Sequence, residues 1–211
     1  RSEDYEPLLA GMIADWRRAW KAADLPFGIV QLPNYHRPHT DPNEFLGWTH
    51  IREAQLHVSQ NLPNVGLVVT VDVGEAADIH PPCKQPVGHR LALWALAKVY
   101  GKNVVYTGPI YQSIQVEGRA VRVRFAPAAD GLEARGGELK GFALAGADKV
   151  FHWAEARIDG GTVVVSAEDV PQPVAVRYDW GRNPFGNLFS KAGLPASPFR
   201  SDDWPKPEVK K

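Results

Sequence analysis

Gly66-Leu67-Val68-Val69-Thr70-Val71-Asp72-Val73 is almost uninterrupted in apolar and β-branched residues. Alternation disappears in this way when a strand lies in a parallel sheet covered on both faces. Parallel strands need crossover connections, usually helical ones, and helix-like stripes flank this run. Upstream, Leu8, Leu9, Met12, Ile13, Trp16 and Trp20 recur at three- and four-residue spacing, the stripe of an amphipathic helix. Pro26 ends that helix, and Phe27-Gly28-Ile29-Val30-Gln31-Leu32 reads as a first short buried strand. A loop with Pro33, Pro38 and Pro42 follows, and a second helix is expected from Glu44 to Gln60. Downstream, Leu91, Leu93, Trp94, Leu96 and Ala97 predict a third helix over Val87 to Tyr100, ending near Gly101.

Beyond Gly101 the period falls to two. Val121-Arg122-Val123-Arg124-Phe125, Thr162-Val163-Val164-Val165 and Val174-Ala175-Val176-Arg177-Tyr178 have strand character. Turn signals at Asp130-Gly131, Gly136-Gly137 and Asp159-Gly160-Gly161 separate them. The expected organisation is an α/β layer over residues 1–101 and a mainly antiparallel β domain over residues 102–211. The charged, Pro-containing tail from Lys206 to Lys211 is expected to fray.

Composition narrows the function. The 211 residues carry 24 Lys+Arg against 24 Asp+Glu, and 44% are hydrophobic, which supports a folded core. A neutral chain with sparse basic residues is a poor nucleic-acid binder. One cysteine, Cys83, permits no internal disulfide, and no Cys/His cluster suggests a metal site. No apolar run reaches the roughly 20 residues of a membrane helix. The N-terminus lacks the basic-then-apolar pattern of a leader, which says little of compartment if the chain is part of a longer precursor.

The chemistry concentrates just past the long strand, in Gly74-Glu75-Ala76-Ala77-Asp78-Ile79-His80-Pro81-Pro82. Functional groups of open α/β sheets gather outside the carboxyl ends of their strands. Asp78 and His80 stand two apart, so a carboxylate oxygen can reach the imidazole and hold one tautomer. An oriented imidazole is what a hydroxyl nucleophile requires as general base. The alternative for this pair is a hydrogen-bonded loop histidine that ties down the strand end. Gln31 and Asn34, at the same carboxyl edge, are candidate substrate donors, with loop hydrogen bonding as the competing role. Tyr35 and Trp48 are candidates for stacking on a ligand ring or for burial. His36, His39, His50, His57, His89 and His152 lack metal spacing and read as structural or exposed, and Trp180, Phe185 and Phe189 as β-loop packing.

The blocks Asp72-Val73-Gly74-Glu75, Asp78-Ile79-His80-Pro81-Pro82-Cys83-Lys84-Gln85 and Gly88-His89-Arg90-Leu91-Ala92-Leu93-Trp94-Ala95-Leu96 resemble the sialate O-acetylesterase family of SGNH hydrolases. The likeness continues through Arg52-Glu53-Ala54-Gln55, Gly141-Phe142, Val174–Tyr178 and Leu194-Pro195-Ala196-Ser197-Pro198-Phe199-Arg200. Cys83 and His89 depart from the usual Asn and Arg of that pattern. The resemblance implies a partial flavodoxin-like SGNH layer followed by antiparallel β structure. It also implies hydrolysis of O-acetylated carbohydrate by Ser, His80 and Asp78, with no cofactor. A secreted, periplasmic or lysosomal setting goes with it.

The family's nucleophile lies in a Gly-Gln-Ser-Asn-Met-type block, and no Gly-Gln-Ser occurs here. None of Ser2, Ser59, Ser113, Ser166, Ser190, Ser197 and Ser201 follows a strand at a sharp glycine turn. The chain therefore reads as the His/Asp half of an esterase whose Ser comes from a companion segment or chain. The alternative is a non-catalytic carbohydrate-binding or accessory module that keeps the His loop as a relic.

Overall fold

The computed structural model describes residues 2–44, 47–127 and 131–205. Its α/β layer runs α1 (Tyr5–Ala19), β1 (Phe27–Val30), α2 (Gly47–Asn61), β2 (Val65–Val68) and α3 (Gln85–Lys98). β1 and β2 pair in parallel, Phe27 opposite Val65 through Val30 opposite Val68. One face of the pair is closed by α1 and α2, where Ile13, Ile29, Val58 and Val65 form a buried cluster. α3 covers the other face. Gly28 and Gly66 stand opposite each other on that side. A Cβ on Gly66 would overlap the indole of Trp94, and one on Gly28 would come within 2.8 Å of Leu91 Cδ2. The paired glycines are what let α3 lie close on the sheet.

Both strands are shorter than their apolar runs predict. β2 stops at Val68 rather than Val73, although Val69, Thr70 and Val71 are buried. Side chains replace the ladder from this point. Thr70 Oγ1 donates to the Gln31 carbonyl, and Arg90 donates to the Val69 carbonyl at 2.7 Å. On the first strand, the Leu32 N–H donates to Gln55 Oε1 at 3.0 Å and Arg52 Nε donates to the Leu32 carbonyl at 2.8 Å. Continuous hydrophobicity reported burial, which outlasts strand pairing here. The second helix starts at Gly47, with Glu44 outside it.

The remaining elements are antiparallel β structure. They are β3 (Ile110–Glu117), β4 (Ala120–Ala126), β5 (Leu132–Ala134), β6 (Phe142–Ala145), β7 (Phe151–Trp153) and β8 (Glu155–Asp159), then β9 (Thr162–Ser166), β10 (Ala175–Tyr178), β11 (Leu188–Ser190) and β12 (Phe199–Arg200). Two four-stranded sheets, β3-β4-β9-β8 and β12-β10-β6-β7, contribute to one core. Val121, Val123, Val163 and Val165 from the first meet Phe142, Leu144, Val176 and Tyr178 from the second. β5 and β11 form a separate pair. The Asp159-Gly160-Gly161 turn joins β8 to β9 as its composition predicts. Asp130 and the Lys206–Lys211 tail lie outside the described residues.

Candidate active site

The loop after β2 departs from a fixed base. Arg90 of α3 donates to both carboxylate oxygens of Asp72, at 2.7 and 2.6 Å. Asn34, just past β1, accepts the Gly74 N–H on its Oδ1 at 2.5 Å and donates from Nδ2 to Asn183 Oδ1 at 2.9 Å. Tyr35 bridges Glu75 in parallel, and the His36 N–H donates to the Ala76 carbonyl at 3.0 Å. The two strand-end loops are thus zipped together beyond the sheet. The chain then turns outward to Asp78 and His80.

Asp78 and His80 are brought together. One oxygen, Asp78 Oδ1, accepts the His80 backbone N–H at 2.8 Å and lies 3.4 Å from His80 Nδ1. This closes an Asx turn, which needs only residues two apart. The hydrogen bond from the His80 backbone N–H, helped by the nearby imidazole, holds the Asp78 carboxyl below its ordinary value. The His80 side chain is 85% exposed, so the ring stands at the surface with Nδ1 beside the carboxylate. Chemically the arrangement is an oriented imidazole whose second nitrogen, Nε2, can exchange a proton with a hydroxyl.

Gln31 and Asn34 are engaged in hydrogen bonds that join the strand ends to other parts of the chain. Gln31 is 0% exposed, and its Nε2 donates to the Arg52 carbonyl at 3.2 Å and to Ser197 Oγ at 3.3 Å. In this structure the side chain is buried and holds the seam between β1, α2 and the β half. Asn34 uses both ends of its amide on Gly74 and Asn183, so it ties the loop to the β half. Tyr35 and Trp48 pack on each other at 5.8 Å, with the Trp48 N–H donating to the Pro33 carbonyl. Ser190 and Ser197 are buried. Among the described residues no group of three or more His, Cys, Asp or Glu side chains is arranged to hold a metal. Nor is any helix long and apolar enough to cross a membrane.

Several residues that organise the site had no local signal. Arg52 is 1% exposed and donates to four carbonyls, those of Leu32, Pro33, Gly181 and Arg182. Burial brings its guanidinium down to about 9. Asp179, also fully enclosed, is pushed up to about 7 by burial, against the opposing pull of the Gly186 N–H and Arg52. Glu53 accepts two hydrogen bonds from Arg200, at 2.7 and 3.0 Å. Asn183 donates to the His36 carbonyl at 2.6 Å. The available clue was in α2, where Thr49, Arg52 and Gln55 recur at three-residue spacing on the buried face. Polar residues in an apolar stripe are buried only where partners await them.

Fold and site together define a protein with a small parallel α/β layer, an Asp–His loop at its carboxyl edge and an antiparallel β companion. No family model matches the sequence. A solved carbohydrate acetylesterase from Xanthomonas citri superposes with a TM-score of 0.89 at 41% identity, over 95% of this chain and 46% of that one. Sialate O-acetylesterases of mouse and human are 29% and 28% identical over 53% of this chain and 23% and 24% of theirs. The chain is thus similar in sequence to sialate O-acetylesterases and in fold to a carbohydrate acetylesterase. It spans about a quarter of the length of the curated relatives and under half of the Xanthomonas structure.

Proposed function

We propose that the chain supplies the His–Asp half of a carbohydrate O-acetylesterase, within an SGNH-type α/β layer. The observation that carries this reading is the Asp78 oxygen shared between the backbone N–H and Nδ1 side of His80, on a loop at the carboxyl edge of the parallel pair. A carbohydrate acetylesterase matching 95% of the chain supports it.

In the complete enzyme, a Ser from a companion segment or chain attacks the acetyl carbonyl while its proton passes to His80 Nε2. Asp78 holds Nδ1 and stabilises the imidazolium. His80 then returns the proton to the departing sugar oxygen, leaving acetyl-Ser. Finally it takes a proton from the water that attacks acetyl-Ser and returns it to the departing Ser oxygen, which releases acetate and restores the Ser. The substrate is an O-acetylated carbohydrate and the chemistry requires no cofactor. A secreted, periplasmic or lysosomal setting accords with such substrates.

The test is complementation. The isolated chain is expected to leave p-nitrophenyl acetate and O-acetylated sugars intact. Adding a polypeptide with the Gly-Gln-Ser-Asn region of a related esterase should restore turnover. Robust hydrolysis by the isolated chain would mean that one of its own serines is the nucleophile.

A further inference from the structure

A groove of about 680 Å³ opens on the β half, between the strand ends of β5 and β6 and the length of β8. Its mouth carries Trp153 and Phe185, which are 37% and 45% exposed. The Phe185 ring lies 5.0 Å from that of Trp153 at an interplanar angle of 57°. The two rings form an angled apolar surface that is partly open to solvent.

We propose that this groove is a carbohydrate-binding site for an uncharged oligosaccharide chain, independent of the hydrolytic reading. Three observations support that occupant. First, Trp153 is fixed in place: its Nε1–H donates to the Thr40 carbonyl at 2.9 Å and its ring meets the His39 imidazole edge-on at 5.4 Å. A pre-set aromatic face offers large contact area at little entropic cost. The C–H face of a pyranose ring suits such a surface. Second, Glu138, Lys140, Glu155 and Arg157 also line the groove, two acids and two bases. They offer acceptors and donors to sugar hydroxyls without a net field that selects a charged ligand. Third, the volume falls within the range of small-ligand sites, large enough for more than one ring.

The contacts that fix Trp153 come from the connection that also braces the Asp78–His80 loop. Thr40 and His39 belong to the same connection as His36, whose N–H holds the Ala76 carbonyl.

Native affinity electrophoresis of the full chain tests this, in gels containing hydroxyethylcellulose, arabinoxylan or polysialic acid, against a polymer-free gel. One or both neutral polymers should retard the protein. Trp153→Ala and Phe185→Ala should each weaken that retardation by about tenfold, with Trp153→Phe retaining more of it than Trp153→Ala. Thermal melts accompany each variant. Should Trp153→Ala unfold because its Thr40 contact is lost, the exposed Phe185 decides. No retardation by either neutral polymer would overturn the proposal. So would retardation by polysialic acid alone, or unchanged retardation of a folded Phe185→Ala protein. Loss of esterase activity in the complete enzyme has no bearing on these gels, so the two readings fail separately.

Discussion

Arg90 grips Asp72 through both carboxylate oxygens, at 2.7 and 2.6 Å, while the same guanidinium holds the Val69 carbonyl. The pair joins the point where the chain leaves β2 to the helix that follows the Asp78–His80 loop. It therefore sets the distance between the two roots of that loop. The Arg90 side chain is 9% exposed and that of Asp72 22%, so solvent screens the pair only partly.

Arg90→Ala should lower stability by about 2–3 kcal/mol, read from denaturant melts, because Asp72 loses its partner in a half-enclosed site. Activity of the completed esterase should fall as well. An increase in KM with kcat unchanged would show that the loop roots are not what the pair controls.

His80→Ala should leave the melting curve within about 0.5 kcal/mol of the parent, since an exposed loop ring contributes little to the fold. In the completed enzyme it should reduce kcat by several orders of magnitude. Asp78→Asn should cost less, because an amide oxygen can still accept the His80 backbone N–H. Near-native turnover of O-acetylated sugar by His80→Ala would remove His80 from the mechanism.

Asp179 predicts a pH dependence of stability. Its carboxyl titrates at about 7 in the folded chain against an ordinary value of 3.8. Between these values the folded protein keeps a proton that the unfolded chain has released. Stability should therefore be greatest at the acid end, decline as pH rises, and level off above about 7. The full swing is roughly 4 kcal/mol from this group. Asp179→Asn should flatten the profile between pH 4 and pH 7, as measured by urea melts at a series of pH values. A wild-type profile that rises across that window would refute the assignment.

Gly66→Ala should destabilise by roughly 1–3 kcal/mol through overpacking, because the new methyl overlaps the Trp94 ring. Gly28→Ala should cost less, since the end of Leu91 can move aside. Combining Gly66→Ala with Trp94→Leu should recover part of the loss. Strict additivity in that double-mutant cycle would show that the two sites do not touch.

The two buried strands and the Asp78–His80 turn were legible because their signals are local. A run of β-branched residues selects extended backbone wherever it is buried, and an Asx turn needs only an acceptor two residues before its donor. The partners of Gln31 were not legible. Its amide is held by Arg52 and by Ser197, far along the chain. Burial of polar residues in α2 likewise depended on carbonyls from Gly181 and Arg182, which the helix itself cannot supply.

From residue order alone came the period of each half, the helices around the apolar strand and the proximity of one carboxylate to one imidazole. These follow from torsional preference and from contacts within a few residues. Tertiary structure alone decided where β2 stops, which residues brace the loop, and that Phe185 stands in solvent beside Trp153. Those outcomes turn on partners distant in sequence: whether a polar atom meets a carbonyl, or a ring meets another surface, is settled only when the two halves pack.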